Sequence, residues 1–93
     1  MTIQAIQVQV TGRVQGVGFR YFVKLEAKRL GLVGSATNQA DGSVLALAQG
    51  EETVLADFID FLTHRQPAPY GRVDAVQQKI VAVNPQLTRF ETH

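Results

Sequence analysis

Hydrophobic and polar residues alternate along the first part of the chain. Within Gln4–Thr11, the apolar residues Ile6, Val8 and Val10 occupy every second position, and mostly polar residues stand between them. Successive side chains of a strand point to opposite faces of its sheet, so this alternation indicates a strand with one buried face. We therefore predict a first strand over residues 4–11.

Two later stretches have the period of an α-helix instead. Apolar residues recur every three or four positions over Phe19–Leu30, and Gly31 follows as a typical residue at a helix C-terminus. Glu26 falls within this apolar stripe, and the pattern alone does not explain its charge there. A second helix is predicted to begin with the acidic pair at residues 51–52, whose charges suit a first helical turn. Its apolar stripe consists of Val54, Leu55, Phe58, Phe61 and Leu62.

The segment between the two helices is typical of a β-hairpin. Leu32–Gln39 is predicted to form a strand, and Asp41-Gly42 is a strong signal for the turn that follows it. Ser43–Gln49 is apolar at both sets of alternating positions, as expected of a strand that neighbours shield on both faces. Gly50 is expected to end this strand.

The last part of the chain is predicted to add a long strand and a short one. Residues 66–71 are rich in proline and glycine and are predicted to form a loop. Arg72–Val83 is strand-like, but its alternation slips at Ala75–Val76, which indicates a bulge. Asn84–Pro85 is a turn signal, and Leu87–Thr92 is predicted to contain a short last strand.

This order of elements predicts an α+β fold of the ferredoxin-like split β-α-β type. Strand, helix, strand, strand, helix and strand follow one another, with a short fifth strand at the end. An antiparallel sheet of four to five strands with both helices on one face buries every apolar stripe. A chain of 93 residues is expected to form one domain, residues 1–93.

Composition argues against several classes of function. The formal charge of +1 argues against a nucleic-acid partner. The sequence contains no run of about 20 apolar residues, so we predict no membrane span. The absence of cysteine excludes disulfides and thiol chemistry, and it is compatible with the cytoplasm, where we expect the protein. His64 and His93 are isolated, so the sequence predicts no metal site.

The segment Gly12-Arg13-Val14-Gln15-Gly16-Val17-Gly18-Phe19-Arg20, called here the glycine-rich segment, carries the candidate chemistry. It connects the first strand to the first helix, where converging main-chain N–H groups form a donor site for an anion. Arg20 would add a planar fork of donors suited to phosphate or carboxylate. A structural turn that binds nothing is the alternative, and the residues alone leave both open.

The glycine-rich segment resembles the signature of the acylphosphatase family, which reads roughly G-x-V-Q-G-V-x-F-R. A second family element, G-x-x-x-N-x-x-D-G-x-V, corresponds to Gly34–Val44, and both stand in the family's order and at its usual separation. The resemblance covers essentially the whole chain. This sequence departs from the family pattern at Ser35, where an aromatic is common, and at Ala40, where a proline is common.

The resemblance implies a metal-independent enzyme without a cofactor that hydrolyses small acyl phosphates to carboxylate and inorganic phosphate. It implies that Arg20 binds the phosphoryl oxygens and that Asn38 orients the attacking water. It also implies that the phosphate-binding loop consists of Gln15, Gly16, Val17, Gly18, Phe19 and Arg20. A non-catalytic phosphate- or carbamoyl-phosphate-binding module of the same fold is the alternative. We expect a monomer, without nucleic-acid or membrane partners.

Overall fold

The computed structural model describes residues 2–64 and 71–93 of the chain. The predicted loop at residues 66–71 therefore lies outside the described residues, except for Gly71. The elements follow one another in the predicted order. They are β1 (Ile3–Arg13), α1 (Phe19–Arg29), β2 (Val33–Asn38), β3 (Val44–Glu51), α2 (Glu52–His64), β4 (Arg72–Val81) and β5 (Phe90–Thr92).

The strands form one sheet in the order β4-β1-β3-β2-β5. The pairs β1–β4, β1–β3 and β3–β2 are antiparallel, which confirms the predicted four-stranded arrangement. The fifth strand differs from the prediction of an antiparallel sheet, because β5 pairs with β2 in parallel, with Gly34 opposite Phe90. Since β4 runs opposite to β2 and the chain reverses after β4, β5 must run in the same direction as β2. The sheet as a whole is therefore mixed.

The apolar stripes of the strands and helices meet in one buried layer. Val8 and Val10 of β1 are fully buried, as are Val23 of α1 and Phe58 of α2. Phe90 of β5 meets Phe58 edge to face, with ring centroids 6.4 Å apart. Both helices pack on one face of the sheet, α1 over β2 and β5, and α2 over β1, β3 and β4. Among the described residues, neither helix is long and apolar enough to cross a membrane.

Two local features differ from the predictions. Gly50 does not end β3, which continues to Glu51, and a Cβ at Gly50 would lie 2.4 Å from the Leu32 Cδ2 atom. The glycine therefore leaves room for the Leu32 side chain and does not act as a strand breaker. The bulge lies at Asp74, one residue before the predicted position, because Thr11 pairs with Ala75 and Gly12 with Val73.

Glu26 in the apolar stripe of α1 is explained by an ion pair. Arg29 donates to both carboxylate oxygens of Glu26, over 2.8 Å from Nε and 2.5 Å from Nη2. The Glu26 side chain is only 12% exposed, so the bidentate partner offsets the cost of burying its charge. The partner stands three residues later on the helix, where side chains of one face meet.

Candidate functional site

The β1–α1 loop, residues 14–18, turns twice through left-handed backbone conformations. Gly16 has φ 73° and Gly18 has φ 80°, a region in which residues with a Cβ are strained. A Cβ at Gly16 would meet no atom within 4 Å, so conformation and not space requires glycine there. Gly18 is the N-cap of α1, and no side chain caps this helix N-terminus.

The side chains that flank this loop are buried, while its main chain is open. Val14 and Phe19 are each 1% exposed, and Val17 packs against the core from the middle of the loop. Gly16 and Gly18 alternate with these apolar residues and are exposed. Within residues 2–64 and 71–93, no carbonyl or side chain accepts a hydrogen bond from the N–H groups of residues 15–19. The loop therefore offers a run of free donors at a helix N-terminus.

Arg20 stands beside these donors in the first turn of α1. It is half-buried, and its Nη1 donates a hydrogen bond to the main-chain oxygen of His93. The His93 N–H in turn donates to the Ala36 carbonyl over 2.9 Å, which ties the end of β5 to β2. The lining of a cavity of about 240 Å³ includes Arg20 together with Gly16 and Gly18. One concave site therefore combines a fixed positive charge with the free donors of the loop.

Asn38 is the last residue of β2, at the same end of the sheet as the β1–α1 loop. Its backbone pairs with Val44, which pairs in turn with Val10 near the end of β1. Asn38 stands two positions after the buried Ala36, and alternate side chains of a strand lie on the same face of the sheet. Asn38 therefore lies on the face that α1 covers. Its Oδ1 atom is buried and accepts no hydrogen bond from any described residue. Such unpaired buried acceptors are rare in proteins and call for an explanation.

Within the described residues no hydrogen bond joins Arg20 to Asn38 Oδ1, and the side chain of Gln15 connects their surroundings. Asn38 is not among the residues that line the cavity around Arg20. Gln15 Nε2 donates to the carbonyl oxygens of Gln39, over 2.7 Å, and Ser43, over 2.9 Å. These two bonds fasten the β1–α1 loop to the β2–β3 loop, residues 39–43, which follows Asn38 directly.

The β2–β3 loop is itself held by a compact polar network, and it contains the predicted Asp41-Gly42 turn. Asp41 Oδ1 accepts hydrogen bonds from the Ser43 hydroxyl, over 2.5 Å, and from the Ser43 N–H, over 2.9 Å. The hydroxyl bond, followed by the N–H bond, lowers the pKa of the Asp41 carboxyl below its ordinary value. Gln9 Nε2 reaches both Asp41 Oδ2 and Ser43 Oγ over 3.3 Å. Asn38 is therefore followed by a well-ordered turn.

Metal-ligand clusters are not found in the part of the chain that the structure describes. His64 stands at the end of α2, with its Nε2 atom 3.8 Å from the Asp60 carboxylate, and both side chains are largely exposed. His93 contributes only main-chain atoms to the hydrogen bonds around Arg20. The chemistry that this site offers is therefore anion binding by N–H groups and a guanidinium.

Comparison with protein families identifies the chain. The family model described as Acylphosphatase matches residues 6–92. The chain belongs to the acylphosphatase family. An acylphosphatase of Latilactobacillus sakei subsp. sakei (strain 23K) is 51% identical over 75 residues, which are 81% of this chain and 80% of the relative.

Solved structures agree with the acylphosphatase family and its fold. The crystal structure of acylphosphatase from Bacillus subtilis has a TM-score of 0.89 and 34% identity, and the match covers 99% of each chain. Full-length HypF in its phosphate- and nucleotide-bound form gives a TM-score of 0.89 and 32% identity, covering 99% of this chain but 12% of HypF. The acylphosphatase fold thus occurs both in chains of this length and as a small part of a larger protein.

The structure adds residues to the site that the sequence prediction missed. Gln15 was predicted for its main-chain N–H, but its side chain forms the link to the β2–β3 loop. Tyr21, Lys24 and Thr92 line the cavity around Arg20 and were not predicted. The spacing of Arg20 and Lys24, four residues apart on one helix, is the one signal that could have indicated a shared face.

Proposed function

We propose that this protein is a metal-independent acylphosphatase that hydrolyses the carboxyl–phosphate bond of small acyl phosphates to a carboxylate and inorganic phosphate. The observation that carries the proposal is the free N–H groups of residues 15–19 beside the Arg20 guanidinium. Membership of the acylphosphatase family supports the choice of substrate class. We also propose that the protein acts as a monomer, because every residue assigned to the site belongs to one chain.

In this proposal the phosphoryl group lies in the β1–α1 loop. Three of its oxygens accept hydrogen bonds from the N–H groups of residues 15–19, and the α1 dipole favours the negative charge there. Arg20 adds a permanent charge and a fork of donors that matches two phosphoryl oxygens. Phosphoryl transfer depends mainly on such positioning and charge stabilisation, so the protein needs to supply little covalent chemistry.

Asn38 is proposed to orient the attacking water. Its buried Oδ1 is an unused acceptor on the α1 side of the sheet, so a water bound there would donate one hydrogen bond to it. Both lone pairs of this water stay free, so one of them attacks phosphorus opposite the leaving oxygen, while a proton of the water passes to a phosphoryl oxygen and the carboxylate departs with the electrons of the broken bond. The leaving carboxylate is weakly basic and needs no general acid, in agreement with the absence of a His or paired carboxylate among the residues lining the cavity.

The likeness to part of HypF supports a second candidate, a phosphate- or carbamoyl-phosphate-binding module without hydrolytic activity. Such a module would share the loop and Arg20, because both functions require the phosphoryl group to be bound. It would not require a bound water at Asn38. Turnover therefore separates the two candidates, whereas phosphate binding does not.

Hydrolysis of benzoyl phosphate by the purified protein is the direct test. We expect turnover that survives exhaustive treatment with a chelator, because the proposed chemistry uses only N–H groups, a guanidinium and an amide. The measurement is the loss of benzoyl phosphate absorbance before and after chelation. Binding of inorganic phosphate without hydrolysis would favour the module, and activity restored only by a divalent cation would contradict metal independence.

Gln15→Leu is expected to lower kcat/KM for benzoyl phosphate by roughly one to two powers of ten, because small displacements of positioning groups have effects of that size. The substitution removes both bonds to the β2–β3 loop and leaves the main-chain N–H groups in place. Gln9→Leu is the matched control, since the hydrogen bonds that the Gln9 side chain donates go to the β2–β3 loop alone among the described residues. Equal losses in both variants, at equal melting temperatures, would contradict a specific role for Gln15.

A further inference from the structure

Lys24 extends the positive charge of the site along α1. It stands one turn after Arg20 on the same helix face and lines the same cavity. Its side chain is half-buried, and no carboxylate of residues 2–64 and 71–93 forms an ion pair with it. Within the described residues, Lys24 therefore forms no salt bridge, although its charge acts at longer range on Glu91, and its ammonium group is available to a ligand.

A second cavity continues from the first one and shares its residues Lys24 and Thr92. Its volume is about 330 Å³, and its lining also includes Lys28, Arg89 and Glu91. Arg89 Nε donates to Glu91 Oε1 over 2.8 Å, and this bond is the main reason why the pKa of the Glu91 carboxyl is lowered. The positive charge of Lys24 lowers the same pKa further. Since Arg89 neutralises the one acidic group, the lysines leave this region positively charged.

The lining that Arg20 and Lys24 share also includes an exposed aromatic side chain. Tyr21 also lines the first cavity, is 60% exposed, and packs its ring edge to face on Phe22, with centroids 5.8 Å apart. An aromatic ring fixed in this way supports the carbon skeleton of a ligand. The first cavity therefore combines the proposed phosphate site with an aromatic ring and the ammonium group of Lys24.

We propose that Lys24 binds a second anionic group on the acyl part of the substrate, so that the preferred substrates are acyl phosphates that also carry a carboxylate or another anion. The inference rests on the proposed function, because the phosphoryl group must first be held at the β1–α1 loop. The axial rise over four helical residues is about 6 Å, which matches a carboxylate a few bonds beyond the reacting carbonyl. The flexible lysine stem tolerates several positions of that anion.

The test compares benzoyl phosphates that carry a carboxylate with those that carry the isosteric neutral amide, each at the meta and the para position. These pairs differ in charge and hardly in size. We expect the wild-type protein to prefer the carboxylate at one position by about three- to fivefold in kcat/KM, the range of a partly solvated ion pair. Lys24→Met is expected to reduce this ratio to about one.

Lys28→Met is the matched control, because it removes the same charge one turn further along α1 and does not line the first cavity. It should keep most of the carboxylate preference, whereas a general field effect would lower the ratio equally in both variants. No carboxylate preference in the wild-type protein, or a preference that persists in Lys24→Met, would overturn the proposal. Absence of hydrolysis with every compound would instead refute the proposed function, and the inference with it.

Discussion

Arg20→Gln is expected to weaken inorganic phosphate binding and acyl-phosphate turnover together. The proposed role of the guanidinium is to neutralise charge that is present both in the bound substrate and in the transition state. Loss of a hydrogen-bonded charge should raise the inhibition constant of phosphate about tenfold or more. We expect kcat/KM for benzoyl phosphate to fall by roughly three powers of ten, the lower end of the range for arginines that stabilise phosphoryl transfer.

Arg13→Gln provides the control for this prediction. Arg13 belongs to the same glycine-rich segment, is exposed, and does not line the cavity around Arg20. The same substitution there should leave the inhibition constant of phosphate within about twofold. Because Arg20 also donates to the His93 main-chain oxygen, thermal unfolding of both variants must be compared. A folded Arg20→Gln protein that phosphate inhibits as strongly as the wild type would refute the assignment.

Asn38→Ala is expected to have the second large effect, confined to turnover. A water positioned by Oδ1 matters only during the reaction, so kcat should fall by roughly two powers of ten or more. The inhibition constant of phosphate should hardly change, because the N–H groups of residues 15–19 and Arg20 are retained. The measurements are kcat with benzoyl phosphate and competitive inhibition by inorganic phosphate on the same preparation.

A purely structural role of Asn38 predicts a different result. If the residue only supported the β2–β3 loop, its removal would lower the melting temperature while the folded protein kept its turnover. The unpaired Oδ1 argues against this, since removing an acceptor that makes no internal hydrogen bond costs the fold little. Thr37→Ala is the control, because Thr37 precedes Asn38 in β2 and its side chain lies on the opposite face of the sheet. Near-normal kcat in folded Asn38→Ala would exclude water positioning by this side chain.

Much of the fold follows from the sequence because its signals are local. The alternation at residues 4–11 and the helical period from Phe19 are consequences of backbone geometry that acts over one or two turns. The left-handed conformations at Gly16 and Gly18 likewise follow from residues that tolerate positive φ. The order of elements then restricts the sheet to a ferredoxin-like arrangement, and the two family motifs indicate the candidate site residues.

Other features depend on residues that are distant in the chain and could not be predicted from local patterns. Gly50 resembles a strand breaker until Leu32 packs against it, and the direction of β5 depends on its position beside β2 at the far edge of the sheet. The link from Gln15 to the β2–β3 loop spans more than twenty residues of sequence.

The sequence by itself determined the elements, the glycine conformations and the candidate donors, because each of these depends on neighbours within a few positions. Only the tertiary structure decided how the donors are combined. Among residues 2–64 and 71–93, it left the N–H groups of residues 15–19 and the buried Oδ1 of Asn38 without a hydrogen-bond partner. It also set Lys24 in the wall of the cavity that contains Arg20. Burial and hydrogen-bond pairing are properties of the packed chain, since elements far apart in sequence supply the surfaces that exclude water and the partners that satisfy polar groups.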